Sequence, residues 1–180
     1  MEMKRIFSTR RLVFLSILVA LGAVLHVVEG MFPIPLPLPG VKLGLANIVT
    51  LFAICLYGLR GGVAVATARV LLGSLIGGIF LSPGFLLALS GAILSTLVMA
   101  WLFKHTSCFS VIGISMAGAV THNMGQLLAA SLILRSSAVF YYLPVLLLAA
   151  IPTGLITGYI LRSLLDRLEK TGQLRIMKME

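Results

Sequence analysis

The feature that most restricts the fold of this chain is a succession of long apolar runs joined by short polar stretches. A hydrocarbon core about 30 Å thick takes roughly 20 helical residues per crossing, and each run is long enough for one crossing. The runs stand near residues 12–31, 41–58, 62–81, 84–103, 111–134 and 140–164. Hydrophobic residues make up 59% of the 180 residues and charged residues 11%, with a mean hydropathy of +1.12, which excludes an ordinary soluble domain.

These runs suit helices better than strands. Strands of a lipid-facing barrel alternate polar and apolar residues, and these runs do not alternate. We therefore predict an all-α integral membrane protein. It should form a single membrane domain over residues 1–180, with six transmembrane helices bundled over 12–164.

The net charge of +9 is concentrated near the two ends of the chain. Basic residues cluster in the N-terminal segment 1–11 and around the C-terminal tail 165–180. An even number of crossings puts both clusters on one side, and Arg60 and Lys104 fall in loops on that side. The positive-inside rule then places both termini in the cytoplasm, and this distribution of charge argues against nucleic acid as a partner. The first run is interpreted as a span and not as a cleaved signal peptide.

The segment Glu29–Asn47, EGMFPIPLPLPGVKLGLAN, is the only long break between the first two runs. Its four prolines occupy alternate positions from Pro33 to Pro39, where they remove backbone donors and favour an extended conformation. We interpret the outer loop 30–40 as a lid over the mouth of the bundle. The alternative is a stiff connector between two spans.

Arg69 lies near the middle of the third run. A charge there costs at least about 2.5 kcal/mol on insertion scales, so the guanidinium should face protein or water. We expect Arg69 and Lys42 to neutralise an anionic ligand, Asn47 to hydrogen-bond it, and Glu29 to pair with a cation or bind a ligand donor. The alternative is an arginine tied to backbone carbonyls or to Glu29 for structural reasons.

The fifth run carries the densest polar patch, THNMGQ from Thr121 to Gln126. His122 and Gln126 are four residues apart and share one helical face, whereas Asn123 stands at the edge of that face. Several polar side chains at membrane depth favour a ligand or ion pathway. The alternative is a hydrogen-bonded histidine that only packs.

The first run has two distinct faces. Three small residues on one face, Ser16, Ala20 and Ala23, would let another helix approach closely. Gly22, His26 and Glu29 lie about 100° or more around the helix and should face the bundle interior. We expect the small face to dock a partner subunit. The alternative is packing against a helix of the same chain.

Motifs for catalysis are missing from the sequence. It has no G-x-x-x-x-G-K-[ST] nucleotide loop, and its only aspartate, Asp166, lies in the basic tail. Diphosphate chemistry needs carboxylates to hold magnesium, and no such cluster is present. Cys55 and Cys108 are isolated and suggest neither a metal site nor a disulfide. We expect no enzymatic activity, no catalytic residue, no metal and no cofactor.

Three stretches carry a family resemblance: EGMFPIPLPLPGVKLGLANIVTL, ARVLLGSLIGGIFLSPGFLLALSGAILS and AGAVTHNMGQLLAA. They resemble the Gx transporter family, also labelled heptaprenyl diphosphate synthase component I, from about residue 10 to 165. That family is similar to the substrate-binding S-components of energy-coupling factor (ECF) transporters. The resemblance implies six helices, cytoplasmic termini, a transmembrane coupling subunit that contacts the first helix, and two ABC ATPases.

The sequence as a whole favours a substrate-binding membrane subunit of an ATP-driven uptake transporter for a small anionic or amphipathic molecule. The expected substrate-binding residues are Glu29, Lys42, Asn47, Arg69, His122, Asn123 and Gln126. One alternative is a non-catalytic membrane subunit that assists polyprenyl diphosphate or quinone synthesis. Another is a stand-alone ion-coupled carrier, in which the titrating groups would be His26, Glu29 and His122.

Overall fold

The structure is a computed structural model that describes residues 9–31, 44–106 and 108–172, and over these residues it is helical without strands. Its helices are α1 (Thr9–Met31), α2 (Asn47–Ile76), α3 (Pro83–His105), α4 (Val111–Leu134), a 3₁₀ helix (Ser137–Tyr142) and α5 (Leu143–Lys170). The predicted all-α class is confirmed. The prolines from Pro33 to Pro39 and the side chain of Lys42 lie outside the described residues.

Four helical stretches are long and apolar enough to cross a membrane: Arg11–Met31, Asn47–Ile76, Pro83–His105 and Ser137–Lys170. Large apolar side chains stand on the outside of the molecule, and Leu148, for example, is 73% exposed. An outer surface of this kind is suited to lipid and not to water. The prediction of a membrane protein is confirmed at this level.

Helix α2 reverses direction at Gly58. This glycine has non-helical angles, φ 68° and ψ −162°, in the middle of the element. Arg69 Nε lies 3.1 Å from Thr50 Oγ1, although 19 residues separate them. In a straight helix that rises 1.5 Å per residue, these residues would be about 28 Å apart. The first arm of α2 (47–57) and the second arm (59–76) therefore run antiparallel.

Three sequence predictions about the helices differ from the structure. Six separate helices were expected and the described residues form five α-helices, in which the expected second and third helices correspond to the two arms of α2 on either side of Gly58. The second span was expected over 41–58, but Gly44–Ala46 form a turn and helix begins only at Asn47. The first arm is about 16 Å long at 1.5 Å per residue, roughly half of a hydrocarbon core. The third span, expected to reach residue 81, ends as helix at Ile76.

The helices pack in chain order, α1 on α2, α2 on α3, α3 on α4 and α4 on α5. Small residues bring the backbones together. A Cβ built at Gly125 in α4 would lie 2.8 Å from Gly91 Cα in α3, and one built at Gly158 in α5 would lie 2.8 Å from Ile112 Cα in α4. Close backbone approach through glycine is the usual source of helix association in lipid, where burial of apolar surface contributes little.

The conformation of Gly58 predicts the effect of adding a side chain there. A Cβ at this position would meet no atom within 4 Å, so any loss of stability comes from backbone strain. We expect Gly58→Ala to destabilise the fold by about 1 to 3 kcal/mol, seen as a lower Tm of the detergent-purified protein. Gly172→Ala is the control, since Gly172 also has positive φ and open space but follows the last helix. Equal melting of Gly58→Ala and wild type would contradict the assigned reversal.

Candidate functional site

The buried guanidinium of Arg69 is the centre of the candidate site. The side chain is 1% exposed and lies on the second arm of α2. Its Nε donates to Thr50 Oγ1 at 3.1 Å and its Nη2 donates to Asn47 Oδ1 at 2.8 Å. Both acceptors are neutral groups of the first arm. A guanidinium has five N–H donors, so three of them make no hydrogen bond to the part of the chain that the structure describes.

Helix α1 covers one side of this arginine. A Cβ built at Gly22 would lie 2.9 Å from Arg69 Cδ, and one built at Gly73 would lie 2.6 Å from the His26 ring. The glycines therefore make room for side chains of the opposite helix. Gly22 is near the middle of α1, so Arg69 and its partner Asn47 lie near mid-depth in the bundle. This face of α1 was predicted to point inward, and Gly22, His26 and Glu29 are all buried.

Glu29 connects the end of α1 to the start of α2. Its Oε1 accepts hydrogen bonds from the backbone N–H groups of Gly44 and Leu45, the second at 3.0 Å. The carboxylate also interacts electrostatically with Arg69. It is 7% exposed. A turn at membrane depth needs its backbone donors satisfied by protein, and Glu29 does this for the turn before Asn47.

Gly44 brings α4 to the same place. Its φ is +86°, and a Cβ built on it would lie 2.9 Å from Asn47 Nδ2 and 3.2 Å from His122 Cδ2. A residue with a side chain would be strained there and would also press on both neighbours. Glu29, Asn47, Arg69 and His122 are thus brought together around this turn, although they come from three helices.

His122 and Gln126 form a polar pair inside α4. Gln126 Nε2 lies 2.7 Å from His122 Nε2, so the amide donates to the ring nitrogen and a neutral ring carries its proton on Nδ1. A Cβ built at Gly91 would lie 3.0 Å from His122 Cε1, which shows that α3 closes the other side of the ring. The geometry holds the imidazole between Gly44 and Gly91.

Asn123 faces another helix. Its Nδ2 donates to the carbonyl of Leu146 in α5 at 3.0 Å, so it joins α4 to α5 and makes no described contact with the Arg69 cluster. Its Oδ1 is buried without a hydrogen-bond partner among the described residues. Asn123 was predicted to bind substrate together with His122 and Gln126, and the structure does not bring it to the other predicted residues that it describes.

Two further buried polar atoms lack a hydrogen-bond partner within the described part of the chain, Asn47 Nδ2 and Ser74 Oγ. An unsatisfied buried polar group costs about 1 to 3 kcal/mol. Asn47 is 5% exposed, and its unused donor stands beside the guanidinium that its Oδ1 binds. The cluster therefore holds unused donors from both Asn47 and Arg69.

The predicted residue set missed three members of this cluster. Thr50 was not counted, although its position three residues after Asn47 places it on the same helical face and was the available signal. Gly44 and the adjacent amide of Leu45 were also missed, because nothing in the sequence shows that a turn replaces the first residues of the expected span. Lys42, which was predicted, lies outside the described residues.

The small face of α1 is only partly exposed. Ser16 and Ala20 are exposed, whereas Ala23 is 3% exposed and belongs to the interior. The Ser16 hydroxyl donates a hydrogen bond to the carbonyl oxygen of Leu12 at 2.9 Å. A surface for another helix on this face is therefore made by Ser16 and Ala20, and Ala23 contributes to packing within the chain.

No group of three or more His, Cys, Asp or Glu residues that could hold a metal ion occurs within residues 9–31, 44–106 and 108–172. Cys55 is buried and Cys108 is exposed, each as a free thiol. What the described cluster offers is hydrogen-bond donors and one guanidinium in a site of low dielectric. Donors of this kind are chemically suited to an anion, and the Glu29 carboxylate lies in the same cluster. The expected absence of enzymatic activity stays a prediction.

Comparison with known proteins identifies a family. A family model described as heptaprenyl diphosphate synthase component I matches residues 18–164, a region that includes every candidate ligand-binding residue. The resemblance found in the sequence is confirmed at the level of the family. No curated protein and no solved structure matches the chain.

The contact between Gly22 and Arg69 can be tested by substitution. We expect Gly22→Ala to lower the Tm, because the new Cβ would press on an arginine that two hydrogen bonds hold in place. Ala20→Leu, two residues away on the exposed face of α1, should melt like wild type. Thermal unfolding in detergent measures both. If Gly22→Ala and Ala20→Leu have the same Tm, the described contact between Gly22 of α1 and Arg69 of α2 is wrong.

Proposed function

We propose, from the premise that this chain belongs to the heptaprenyl diphosphate synthase component I family, that it is the substrate-binding membrane subunit of an ATP-driven ECF-type uptake transporter. Its substrate is a small anionic or amphipathic molecule. It acts in a bacterial inner membrane together with a transmembrane coupling subunit and two ABC ATPases. In this proposal the chain itself catalyses no reaction.

The observation that carries the proposal is the burial of Arg69 among neutral hydrogen-bond acceptors. Its cation is buried at mid-depth, and its direct hydrogen-bond acceptors, Thr50 and Asn47, are neutral. Glu29, the acidic residue that interacts with it, also accepts two backbone hydrogen bonds at the turn. An anionic ligand that accepts from the unused donors of Arg69 and Asn47 would satisfy these donors and complete the neutralisation.

The topology supports access from one side. In the proposal each arm of α2 counts as a separate segment, so the chain has six, with both termini cytoplasmic as the positive charges predict. The short first arm begins beside the C-terminal end of α1, at the turn whose backbone Glu29 binds. Non-helical backbone at membrane depth is tolerated where it is buried in protein or lines a cavity. We assign the space beside this turn to the entering substrate.

The roles of the remaining polar residues follow from their positions. His122 lies beside Gly44 and Gln126 is hydrogen-bonded to it, so in this proposal both would contact the ligand. Lys42, three residues before Leu45, would add a second cation. Asn123 would act through the packing of α4 on α5, and so contribute less to ligand affinity than Arg69.

A second function stays open because the family description names a synthase component. In that case the chain would be a non-catalytic membrane subunit that assists polyprenyl diphosphate synthesis. Co-purification from native membranes separates the possibilities. The transport proposal predicts ATPases and a coupling subunit. The alternative predicts a prenyl synthase, and a stand-alone carrier predicts no stable partner.

The ligand site is tested best by Asn47→Asp. A carboxylate at this position would stand beside the Arg69 guanidinium and neutralise it from within the chain, so we expect unchanged or higher Tm together with loss of an anionic ligand. Native mass spectrometry of the protein purified from cells measures the retained small molecules. Arg69→Ala should also lose the ligand, and Arg69→Lys should restore it only in part, since an ammonium cannot form the planar two-donor contact.

The control is Arg135→Ala, which removes an exposed cation at the end of α4. It should keep the ligand and the Tm. If Asn47→Asp and Arg69→Ala retain the same anion as wild type while Arg69→Ala melts earlier, Arg69 is a structural clamp and the proposal of an anionic substrate is wrong.

The partner face gives a separate prediction. Ala20 is exposed on α1, one helical turn from Ser16, so Ala20→Leu would enlarge the surface offered to another helix. We expect loss of uptake or of complex assembly in cells, with ligand retention by the isolated protein unchanged. Ala23→Leu is the contrasting variant, because Ala23 is buried and its replacement should lower the Tm. Normal uptake by Ala20→Leu would exclude this face as the docking surface.

A further inference from the structure

A cavity lies at the opposite end of the first arm of α2 from the Arg69 cluster. It has a volume of about 730 Å³ and is walled by the Gly58 reversal and the C-terminal half of α3. Its apolar lining includes Ile54, Leu59 and Leu97, and Leu59 and Leu97 are also largely exposed. The cavity therefore opens sideways on the apolar outer surface. Gly58 adds no side chain to one end of the cavity, and a Cβ built there would meet no atom within 4 Å.

One rim of the cavity is basic and aromatic. Trp101, Lys104 and His105 line it at the last turns of α3. The Trp101 and His105 rings stack at 5.8 Å between centroids, and His105 Nδ1 lies 3.1 Å from the Trp101 carbonyl, so this rim is held in one arrangement. Lys104 has no ion-pair partner among the described residues, and no carboxylate lines the cavity. The rim thus presents an unpaired cation beside apolar walls.

Two other cavities provide a comparison. One of about 360 Å³ lies beside Tyr159, and one of about 560 Å³ lies between α3 and α4 near Leu132. Neither has a charged residue in its lining. Apolar hollows on the outer surface are therefore not special by themselves. The cavity at Trp101 differs because a cation, a tryptophan and apolar walls meet there.

We propose that this cavity is a binding site for an anionic phospholipid. The acyl chain lies along the apolar walls, and the phosphate is bound by Lys104. Tryptophan and lysine at the end of a membrane helix stand at headgroup level, where an anionic headgroup meets the ammonium. The inference depends on the chain lying in a membrane and does not depend on the transported substrate.

The end of the molecule at which the cavity lies agrees with this occupant. The Arg11 guanidinium of α1 lies 4.7 Å from the centre of the Tyr57 ring, directly before Gly58, so the basic start of α1 and the reversal share one end. Arg60 follows the reversal and is exposed. Several cations at one end attract anionic lipid, and only the Trp101 cavity among the three places apolar walls next to one of them.

The single tryptophan of the chain makes the site measurable. The whole protein is reconstituted into phosphatidylcholine vesicles that contain a minor fraction of phosphatidylglycerol, with bromine on the acyl chains of one lipid or the other. Bromine quenches tryptophan on contact, so fluorescence reports which lipid lies at Trp101. When the brominated lipid makes up the same fraction of the bilayer in both samples, we expect stronger quenching by brominated phosphatidylglycerol. The difference should correspond to about fivefold enrichment of phosphatidylglycerol at Trp101, which is the effect of one basic side chain at an anionic headgroup.

Lys104→Gln should abolish the enrichment while Trp101 stays accessible to both lipids. Lys170→Gln, which removes an exposed cation from the last turn of α5, should keep it. Equal quenching by the two lipids in wild type would overturn the proposal, as would enrichment that survives Lys104→Gln. Loss of enrichment in both variants would show a general effect of surface charge and no site. Absence of quenching by either lipid would show that another occupant, such as a second copy of the chain, covers the cavity.

Discussion

A buried arginine imposes the strictest constraint on this structure. A guanidinium at membrane depth needs acceptors that the lipid cannot supply, and only other parts of the chain can bring them there. Thr50 and Asn47 do so because the chain reverses at Gly58 and returns the first arm of α2 to the level of Arg69. Gly22 then allows α1 to lie against the aliphatic part of the same side chain. The arrangement of α1 and both arms of α2 thus depends on how Arg69 is accommodated.

The same constraint explains why the acidic residue of α1 stands where it does. Glu29 satisfies the turn before the first arm and interacts electrostatically with Arg69, so it stabilises a backbone break that lipid alone would not tolerate. His122 reaches this turn from α4 because Gly44 and Gly91 leave room for its ring. A polar centre assembled from three helices is costly to build for packing alone, since apolar residues would associate without unsatisfied donors. In the proposed function, an anionic ligand would accept hydrogen bonds from those donors.

The family description and the proposed transport function would both require this polar centre to bind an anion. A diphosphate and a small carboxylate are both anions, so either would be bound through the guanidinium and the amide of Asn47. What differs is the partner, because uptake needs ATPases and synthesis needs a soluble enzyme. The exposed Ser16 and Ala20 face and the lipid cavity at Lys104 lie away from the polar centre. Substrate, partner and membrane would therefore act on separate surfaces of one small bundle.

The sequence by itself determined the membrane class, the all-α fold, the approximate bounds of α1, α3 and α4, and the special status of Arg69. Apolar run length and the cost of a buried charge are local properties that need no knowledge of neighbours. Only the tertiary structure decided that the first arm of α2 begins at Asn47, that Thr50 joins the site, that Asn123 bonds to α5, and that Ala23 is interior. These depend on which helix faces which, and in lipid that choice is made by close glycine contacts and a few hydrogen bonds between residues distant in the chain.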